Sequence, residues 1–154
     1  MKRFAFVMLA LVLGCGGGGS SAAERLVLAR ILYGPWVTAA DVGVYSLGEN
    51  GAPQSLLGTT TTGTDGTLSL SVPYEGWTLV KVSGGTYEDP ATGLDATIPE
   101  ATPLLGVAFA SASPTTYSVT VLTTMLFLLA QESARDPGMP FSLAVGNAAL
   151  QIEK

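Results

Sequence analysis

The chain has 154 residues, enough for one domain with its own core, and its formal net charge is −5 at pH 7. Seven basic residues against twelve acidic ones provide no basic surface for phosphate groups, so nucleic acid is excluded as an expected partner. The sequence contains no histidine, which removes the commonest general base and zinc ligand. A single cysteine rules out an intramolecular disulfide.

The N-terminus combines positive charge with a short apolar run. Lys2 and Arg3 precede the apolar residues 4–13, and the only cysteine, Cys15, follows after Gly14. A membrane-spanning helix needs about 20 apolar residues, so this run is too short to span and is typical of an export signal. We therefore assign residues 1–14 to a signal peptide, whose removal leaves five basic residues against twelve acidic ones.

Residues 11–15, LVLGC, resemble the lipobox of bacterial lipoproteins. The resemblance implies that the sulfur of Cys15 receives a diacylglycerol and that Cys15 becomes the first mature residue. In such lipoproteins an aspartate after the cysteine retains the protein at the inner membrane. Gly16 occupies that position here, which favours the outer membrane or the cell surface. Two alternatives stay open, namely a signal peptide cleaved without lipid attachment and an ordinary free thiol at Cys15.

The segment that follows the cysteine predicts a flexible tether, and residues 24–113 predict a β domain. Residues 16–21 are all glycine or serine, so residues 15–23 are expected to be a flexible linker. Segments separated by turn residues then predict strands at 25–32, 41–45, 56–62, 67–72, 77–83 and 104–110. This spacing is typical of an antiparallel, immunoglobulin-like or prealbumin-like β-sandwich, which we assign to residues 24–113. Strict alternation in residues 67–72 predicts one buried face, formed by Leu68, Leu70 and Val72.

Residues 114–154 are expected to be helical. Thr120 is the expected N-cap of a helix over residues 121–133, whose apolar stripe consists of Leu122, Met125, Leu126 and Leu129. Phe127 and Leu128 widen the apolar surface, so we expect this helix to pack on the sandwich as one cooperative unit. Residues 136–138, Asp-Pro-Gly, are expected to end it.

A second helix is indicated by apolar residues at helical spacing, namely Phe141, Val145, Ala148, Ala149 and Ile152. It continues into Glu153 and Lys154 without a glycine cap, which predicts that the helical region extends beyond this sequence.

Three short motifs, residues 40–45 (ADVGVY), 64–70 (TDGTLSL) and 76–80 (GWTLV), resemble the framework of transthyretin-like, carboxypeptidase-regulatory-like sandwich domains. Residues 84–93 and 119–124 are similar to segments of a group of poorly characterised bacterial surface lipoproteins, in which a helical region follows a sandwich. That group often has proline where this chain has Val121. The resemblance implies an accessory or binding domain, and it supplies no catalytic residues.

Four carboxylates lie within thirteen residues of one glycine-containing and proline-containing segment, namely Glu88, Asp89, Asp95 and Glu100. Oxygen ligands on a loop suit calcium, but the spacing does not match an EF-hand. We expect a solvated acidic loop and no cofactor, with calcium binding as the alternative. Paired carboxylates could also serve glycoside hydrolysis, although that chemistry needs an aromatic-lined cleft that the sequence does not show.

Two further features have simple structural interpretations. Lys81 is expected to reach solvent from a strand, and the alternative is an internal amide bond to one of the two asparagines, Asn50 or Asn147. Four aromatic residues are expected in the core or at its rim, with a sugar-stacking platform as the alternative; they are Trp36, Tyr74, Trp77 and Tyr87.

These observations leave two classes of function. The first is a membrane-anchored, non-catalytic binding or interaction module of the cell envelope, whose partner is a protein or a glycan. The second is the accessory domain of a longer chain whose C-terminal part is an envelope enzyme. The absence of histidine and of any nucleophile motif favours the first class.

Lipidation at Cys15 is directly testable in a bacterial host. Mass spectrometry of the membrane fraction should show an acylated N-terminal cysteine, because two or more acyl chains give stable anchoring. Cys15→Ser should release the protein from membranes or block its processing. An unmodified mature N-terminus downstream of Cys15 would contradict the assignment.

Overall fold

The computed structural model describes residues 23–113 and 116–152, so the expected signal peptide, Cys15 and most of the expected tether lie outside the described residues. The described chain is a mainly β, antiparallel sandwich followed by two helices, which confirms the predicted fold class. Its elements, in chain order, are β1 (Arg25–Ile31), β2 (Thr38–Leu47), β3 (Pro53–Thr61), β4 (Thr67–Val72), β5 (Gly76–Glu88), β6 (Asp95–Ile98), β7 (Leu104–Ala110), β8 (Thr116–Val119), α1 (Val121–Ser133) and α2 (Phe141–Ile152).

The strands form two sheets. One has three strands in the order β4-β1-β8, and the other has the order β3-β2-β5-β6, with β7 also paired to β5. The long strand β5 therefore changes partner along its length, since residues 76–82 pair with β7 and residues 84–88 pair with β6. This arrangement gives β5 paired neighbours on both sides over most of residues 78–86 and makes it the centre of the larger sheet.

Two short strands escaped the sequence analysis. β8 lies beyond the boundary expected at residue 113, where Val119 is fully buried and pairs with Ile31. It runs parallel to β1, whereas every other pairing in the described sheets is antiparallel. β6 lies inside the expected acidic loop. Each strand has four residues, which is too short to show a period in the sequence.

The main core lies between the two sheets and is built of small and β-branched side chains. The alternation predicted in β4 is confirmed, since Leu68 and Val72 are buried while Ser69 and Ser71 are exposed. Leu70 points to the same side and is half-buried, packing over Gly58 of β3. The fully buried side chains include Val27, Ile31, Val42, Val44, Val80 and Val82.

A second core lies on the other face of the five-stranded sheet, where the two helices pack. Leu47 and Leu79 of the sheet are buried there against Phe127, Ala130 and other helical side chains. The molecule thus has three layers, namely a sheet, a sheet and a helical pair. None of the described helices has the length and hydropathy required to cross a membrane.

Helix α1 begins as predicted at Thr120, whose side chain accepts a hydrogen bond from the amide of Thr123 while Thr123 Oγ1 accepts one from the amide of Thr120. Its buried face is not the predicted stripe. Phe127 and Ala130 are buried, whereas three members of the stripe, Leu122, Met125 and Leu129, are exposed. The helix is apolar on nearly all sides, so its pattern did not mark a unique face. The small side chains determine which face of α1 is buried, because alanines let α1 and α2 approach closely.

β7 lies at the edge of the larger sheet, and side chains form hydrogen bonds with its free backbone groups. The amide of Leu105 donates to Thr124 Oγ1 at 2.8 Å, and the carbonyl of Leu105 accepts from Thr123 Oγ1 at 2.9 Å. Four residues along, the hydroxyl of Tyr117 accepts from the amide of Phe109 at 3.0 Å and donates to its carbonyl at 3.1 Å. These bonds satisfy backbone groups that a neighbouring strand would otherwise pair.

The register of β4 makes a quantitative prediction. Leu68→Ala should lower the free energy of unfolding by about 2–5 kcal/mol, because it leaves a cavity in the main core. Leu70→Ala should cost less, and the exposed Ser69→Ala should change stability by no more than about 0.5 kcal/mol. Urea denaturation of the three variants measures these differences. Comparable losses for Ser69→Ala and Leu68→Ala would contradict the register.

Candidate functional site

A cleft of about 810 Å³ opens where the helical pair meets one end of the larger sheet. Its walls come from the β2–β3 turn, the start of β5, and the loop that connects α1 to α2. This volume lies within the range of about 300–1,000 Å³ that is typical of small-ligand sites. The residues that line it include Leu47, Glu49, Asn50, Tyr74, Trp77, Arg135, Asp136, Pro137, Met139, Pro140, Phe141 and Ser142.

The helical wall of the cleft is attached to the β2–β3 turn. The amide of Phe141 donates to the carbonyl of Glu49 at 3.1 Å, and Gln131 Nε2 donates to the carbonyl of Gly51 at 3.2 Å. Gly51 has φ of +72°, and a Cβ at this position would overlap the ring of Phe141. Position 51 therefore requires glycine for two reasons, namely its backbone conformation and the close packing of Phe141.

Aromatic rings form the floor of the cleft. Trp77 contacts Phe141, which also lines the cleft, and Phe109, which does not; the ring centroids are 6.1 Å and 5.3 Å away and the interplanar angles are 88° and 83° respectively. Such edge-to-face contacts hold a ring in one orientation. Tyr74 folds back over Gly76, where an added Cβ would lie 2.8 Å from the tyrosine hydroxyl. The half-buried Trp77 is thus a fixed surface at the junction of the sheet and the helices.

The rim of the cleft is polar and carries excess negative charge. Arg135 forms an ion pair with Glu132, at 2.6 Å, so this cation is already matched. Among the described residues neither Glu49 nor Asp136 belongs to an ion pair. Asn50 Oδ1 accepts a hydrogen bond from the amide of Ala52, which shapes the turn. Two carboxylates therefore remain on the rim as hydrogen-bond acceptors for a ligand.

The four aromatic residues considered from the sequence separate into two groups. Tyr74 and Trp77 meet in the cleft. Trp36 is half-exposed elsewhere, with the guanidinium carbon of Arg30 5.3 Å from its ring centroid. Tyr87 packs against Tyr33 with ring centroids 4.7 Å apart, and partial burial with this neighbour raises the pKa of its hydroxyl.

Sequence reasoning missed half of the cleft. Phe141 was assigned only to a helical stripe, and residues 136–138 only to a helix end. Asn50 was considered as a possible partner for Lys81. Their assembly depends on the docking of α2 beside the β2–β3 turn, which has no local signal. A proline-rich connection between two apolar helices is the one available indication of an exposed, shaped loop.

The four carboxylates of the acidic segment lie away from the cleft. Glu88 and Asp95 are opposite each other in the β5–β6 pair. Asp89 forms a turn, accepting hydrogen bonds from the amide of Ala91 at 2.9 Å and from Thr92 Oγ1 at 3.1 Å. Glu100 is exposed in the next turn. Within residues 23–113 and 116–152, no three Asp, Glu, His or Cys side chains come together to hold a metal ion.

Lys81 is exposed on the outer face of β5 and lines a second, smaller concavity of about 610 Å³. This concavity is polar, with Asp41, Thr59 and Ser83 among its lining residues. Asn50 lines the aromatic cleft instead, and Asn147 lies on α2. Neither asparagine lies beside Lys81 in this concavity, so the structure does not assemble the internal amide bond considered above.

Comparisons with known proteins return solved structures alone. No family model matches the sequence, and no curated protein matches it. The solved structures include a DUF3823 family protein from Parabacteroides merdae ATCC 43184, with 15% identity over 64% of this chain and a TM-score of 0.37. They also include BcpA, the major pilin subunit of Bacillus cereus, with 14% identity over 63% of this chain and a TM-score of 0.40. A third is an (S)-allantoin synthase, with 17% identity over 66% of this chain and a TM-score of 0.41.

The chain spans less than half of each of these proteins, covering 46%, 30% and 41% of their lengths respectively. The DUF3823 protein and the pilin are bacterial neighbours of this β-rich chain. Identities and TM-scores this low carry no argument about activity, substrates or partners, so function has to be argued from the cleft.

The attachment of the helices predicts a difference between two glycines with positive φ. Gly138→Ala should cost about 1–2 kcal/mol, since its φ of +90° strains an L-residue and nothing lies within 4 Å of the new methyl group. Gly51→Ala should cost more, because the methyl group displaces Phe141 as well. Chemical denaturation followed by tryptophan fluorescence measures both, and Trp77 should report the loss of Phe141. Equal costs at the two positions would show that the packing of Phe141 on Gly51 contributes nothing.

Proposed function

We propose that this protein is a lipid-anchored, non-catalytic binding module of the bacterial cell envelope, and that its ligand site is the cleft between the helices and the sheet. The observation that carries the proposal is the aromatic floor formed by Trp77 and Phe141 beneath a polar rim. The signal peptide and Cys15 would supply the location, at the outer membrane or the cell surface. The glycine-rich tether would supply the reach.

Binding is favoured over catalysis by the chemistry of the available groups. The sequence has no histidine, so a hydroxyl in the cleft, such as that of Ser142, has no imidazole to activate it. The buried hydroxyls of Ser46, Thr62 and Thr78 are bonded to backbone groups of neighbouring segments. These buried hydroxyls therefore have structural roles. The polar groups of the cleft are available to recognise a ligand.

The cleft suits a short glycan segment as its ligand. Aromatic faces stack on the apolar faces of sugar rings, and carboxylate and amide side chains hydrogen-bond to sugar hydroxyls. Trp77 and Tyr74 supply the aromatic rings, and the carboxylate and amide groups come from Glu49, Asn50 and Asp136. The site is concave, whereas a flat protein partner would need a broader complementary surface.

The ligand class can be tested with the chain from residue 15 carrying Cys15→Ser, so that no lipid interferes. Arrayed bacterial envelope glycans identify a binder, and Trp36→Phe leaves Trp77 as the single tryptophan for a fluorescence titration. We expect saturable quenching or enhancement on binding. Asp136→Asn or Glu49→Gln should weaken binding about tenfold or more, since a hydrogen bond to a charged group contributes about 1.5–3 kcal/mol.

Glu88→Gln and Asp95→Asn are the matched controls, because these carboxylates lie outside the cleft and should leave affinity unchanged. Absence of binding to every arrayed glycan would reject the glycan as the ligand. Binding that is insensitive to Asp136 and Glu49 but sensitive to the control residues would reject the cleft as the site.

A further inference from the structure

The concavity that Lys81 lines, about 610 Å³ in volume, is built from β2, β3 and β5 on the outer face of the larger sheet. Its side chains form two rows across these strands. Read from β3 through β2 to β5, the rows are Thr61, Asp41, Ser83 and Thr59, Gly43, Lys81. Residues opposite each other in paired strands point to the same face, so these groups share one surface. We call this surface the polar concavity.

Two glycines keep the polar concavity open. A Cβ at Gly43 would lie 2.9 Å from the ring of Tyr45 and 3.2 Å from its hydroxyl, so this ring lies over Gly43. Gly43 is opposite Lys81, which places the tyrosine hydroxyl one strand away from this lysine. At the other end, Asp41 Oδ2 lies 3.9 Å from the position that a Cβ of Gly84 would take. A side chain at position 84 would therefore contact that carboxylate.

The polar concavity holds two opposite charges that do not neutralise each other. Lys81 and Asp41 are diagonal neighbours on paired strands, and residues in this relation are about 7–8 Å apart. Neither belongs to an ion pair among the residues that the structure describes. The three described arginines each have a partner, two in ion pairs and one over a tryptophan ring. Lys81 is thus the basic group of the described chain that is most available to a ligand.

The hydroxyls of the polar concavity are available as well. Within residues 23–113 and 116–152, those of Thr59, Thr61 and Ser83 form no hydrogen bond with the protein, although all three line the concavity. Elsewhere beside these strands the hydroxyls of Thr62 and Thr78 are bonded to backbone groups. A hydroxyl can donate or accept a hydrogen bond, so the free ones can serve either charge of a ligand.

We propose that the polar concavity binds the head group of an α-amino acid, in which an ammonium and a carboxylate are attached to one carbon. The ammonium pairs with Asp41, the carboxylate pairs with Lys81, and the hydroxyl of Tyr45 donates to the carboxylate. A simple anion would be repelled by Asp41, and a simple cation would be repelled by Lys81. A ligand with both charges is complementary to both residues. The proposal does not rest on the glycan cleft, because no residue lines both cavities.

Nuclear magnetic resonance of the isotope-labelled chain from residue 15, with Cys15→Ser, tests the proposal. Each standard amino acid is titrated in turn, and at least one should shift the amide signals of Gly43, Thr59 and Lys81 saturably. The N-acetyl derivative of that amino acid lacks the ammonium, and its carboxamide derivative lacks the carboxylate. Each derivative should bind at least about tenfold more weakly, since hydrogen bonds to charged groups are the stronger ones.

Two variants identify which side chain recognises which charge. Asp41→Asn should weaken binding of the amino acid at least about tenfold and abolish its advantage over the N-acetyl derivative. Lys81→Met should weaken binding to a similar extent and abolish the advantage over the carboxamide derivative. Both side chains are exposed, so the amide spectrum should show a retained fold. A general loss of structure would not match each variant to one derivative.

Asp95→Asn and Arg30→Met are the matched controls, because these charges lie outside the polar concavity and should leave affinity unchanged. Absence of a saturable shift with every amino acid would overturn the proposal, and so would equal binding of the amino acid and both derivatives. Shifts confined to Glu49 and Trp77 would place the ligand in the cleft instead. Inorganic phosphate that binds more tightly than any amino acid, without loss in Asp41→Asn, would replace the proposal with a simple anion site.

Discussion

β5 requires apolar cover on both of its faces, and the other layers of the structure depend on meeting this requirement. Val80 and Val82 point into the sandwich and are fully buried, while Trp77 and Leu79 point the other way. A sandwich of two sheets can bury only one of these faces. The helical pair is therefore not an appendage but the third layer that the sheet needs. The cleft exists because that layer covers the sheet only as far as the β2–β3 turn.

The sandwich was largely predictable because each of its longer strands carries its own signal. Alternation in β4, turn residues at Asn50 and Asp65, and the apolar run of β7 are local properties of the sequence. The start of α1 was equally predictable, since Thr120 and Thr123 form a capping pair within one turn. The strands β6 and β8 were missed because four residues show no period, and β8 pairs with a strand about ninety residues earlier in the chain.

The faces of the helices and the composition of the cleft could not be predicted, for a common reason. Both depend on which element packs against which, and an evenly apolar helix gives no indication of its partner. Trp77 and Tyr74 were noted as aromatics, but only the docking of Phe141 on Gly51 brings them to a shared cavity. Leu122 and Leu129, which were assigned to a buried stripe, are exposed because Ala130 and Ala148 allow closer helix packing than leucines do.

Thr123 links the start of a helix to the edge of a sheet. Its hydroxyl accepts from the amide of Thr120 and donates to the carbonyl of Leu105, so one oxygen serves both elements. A foreign strand that added itself to β7 would compete with Thr123 for that carbonyl and would have to displace the start of α1 from the edge of the sheet. Growth of the sheet by strand addition at this edge, as in fibre formation, is therefore opposed by the stability of a helix.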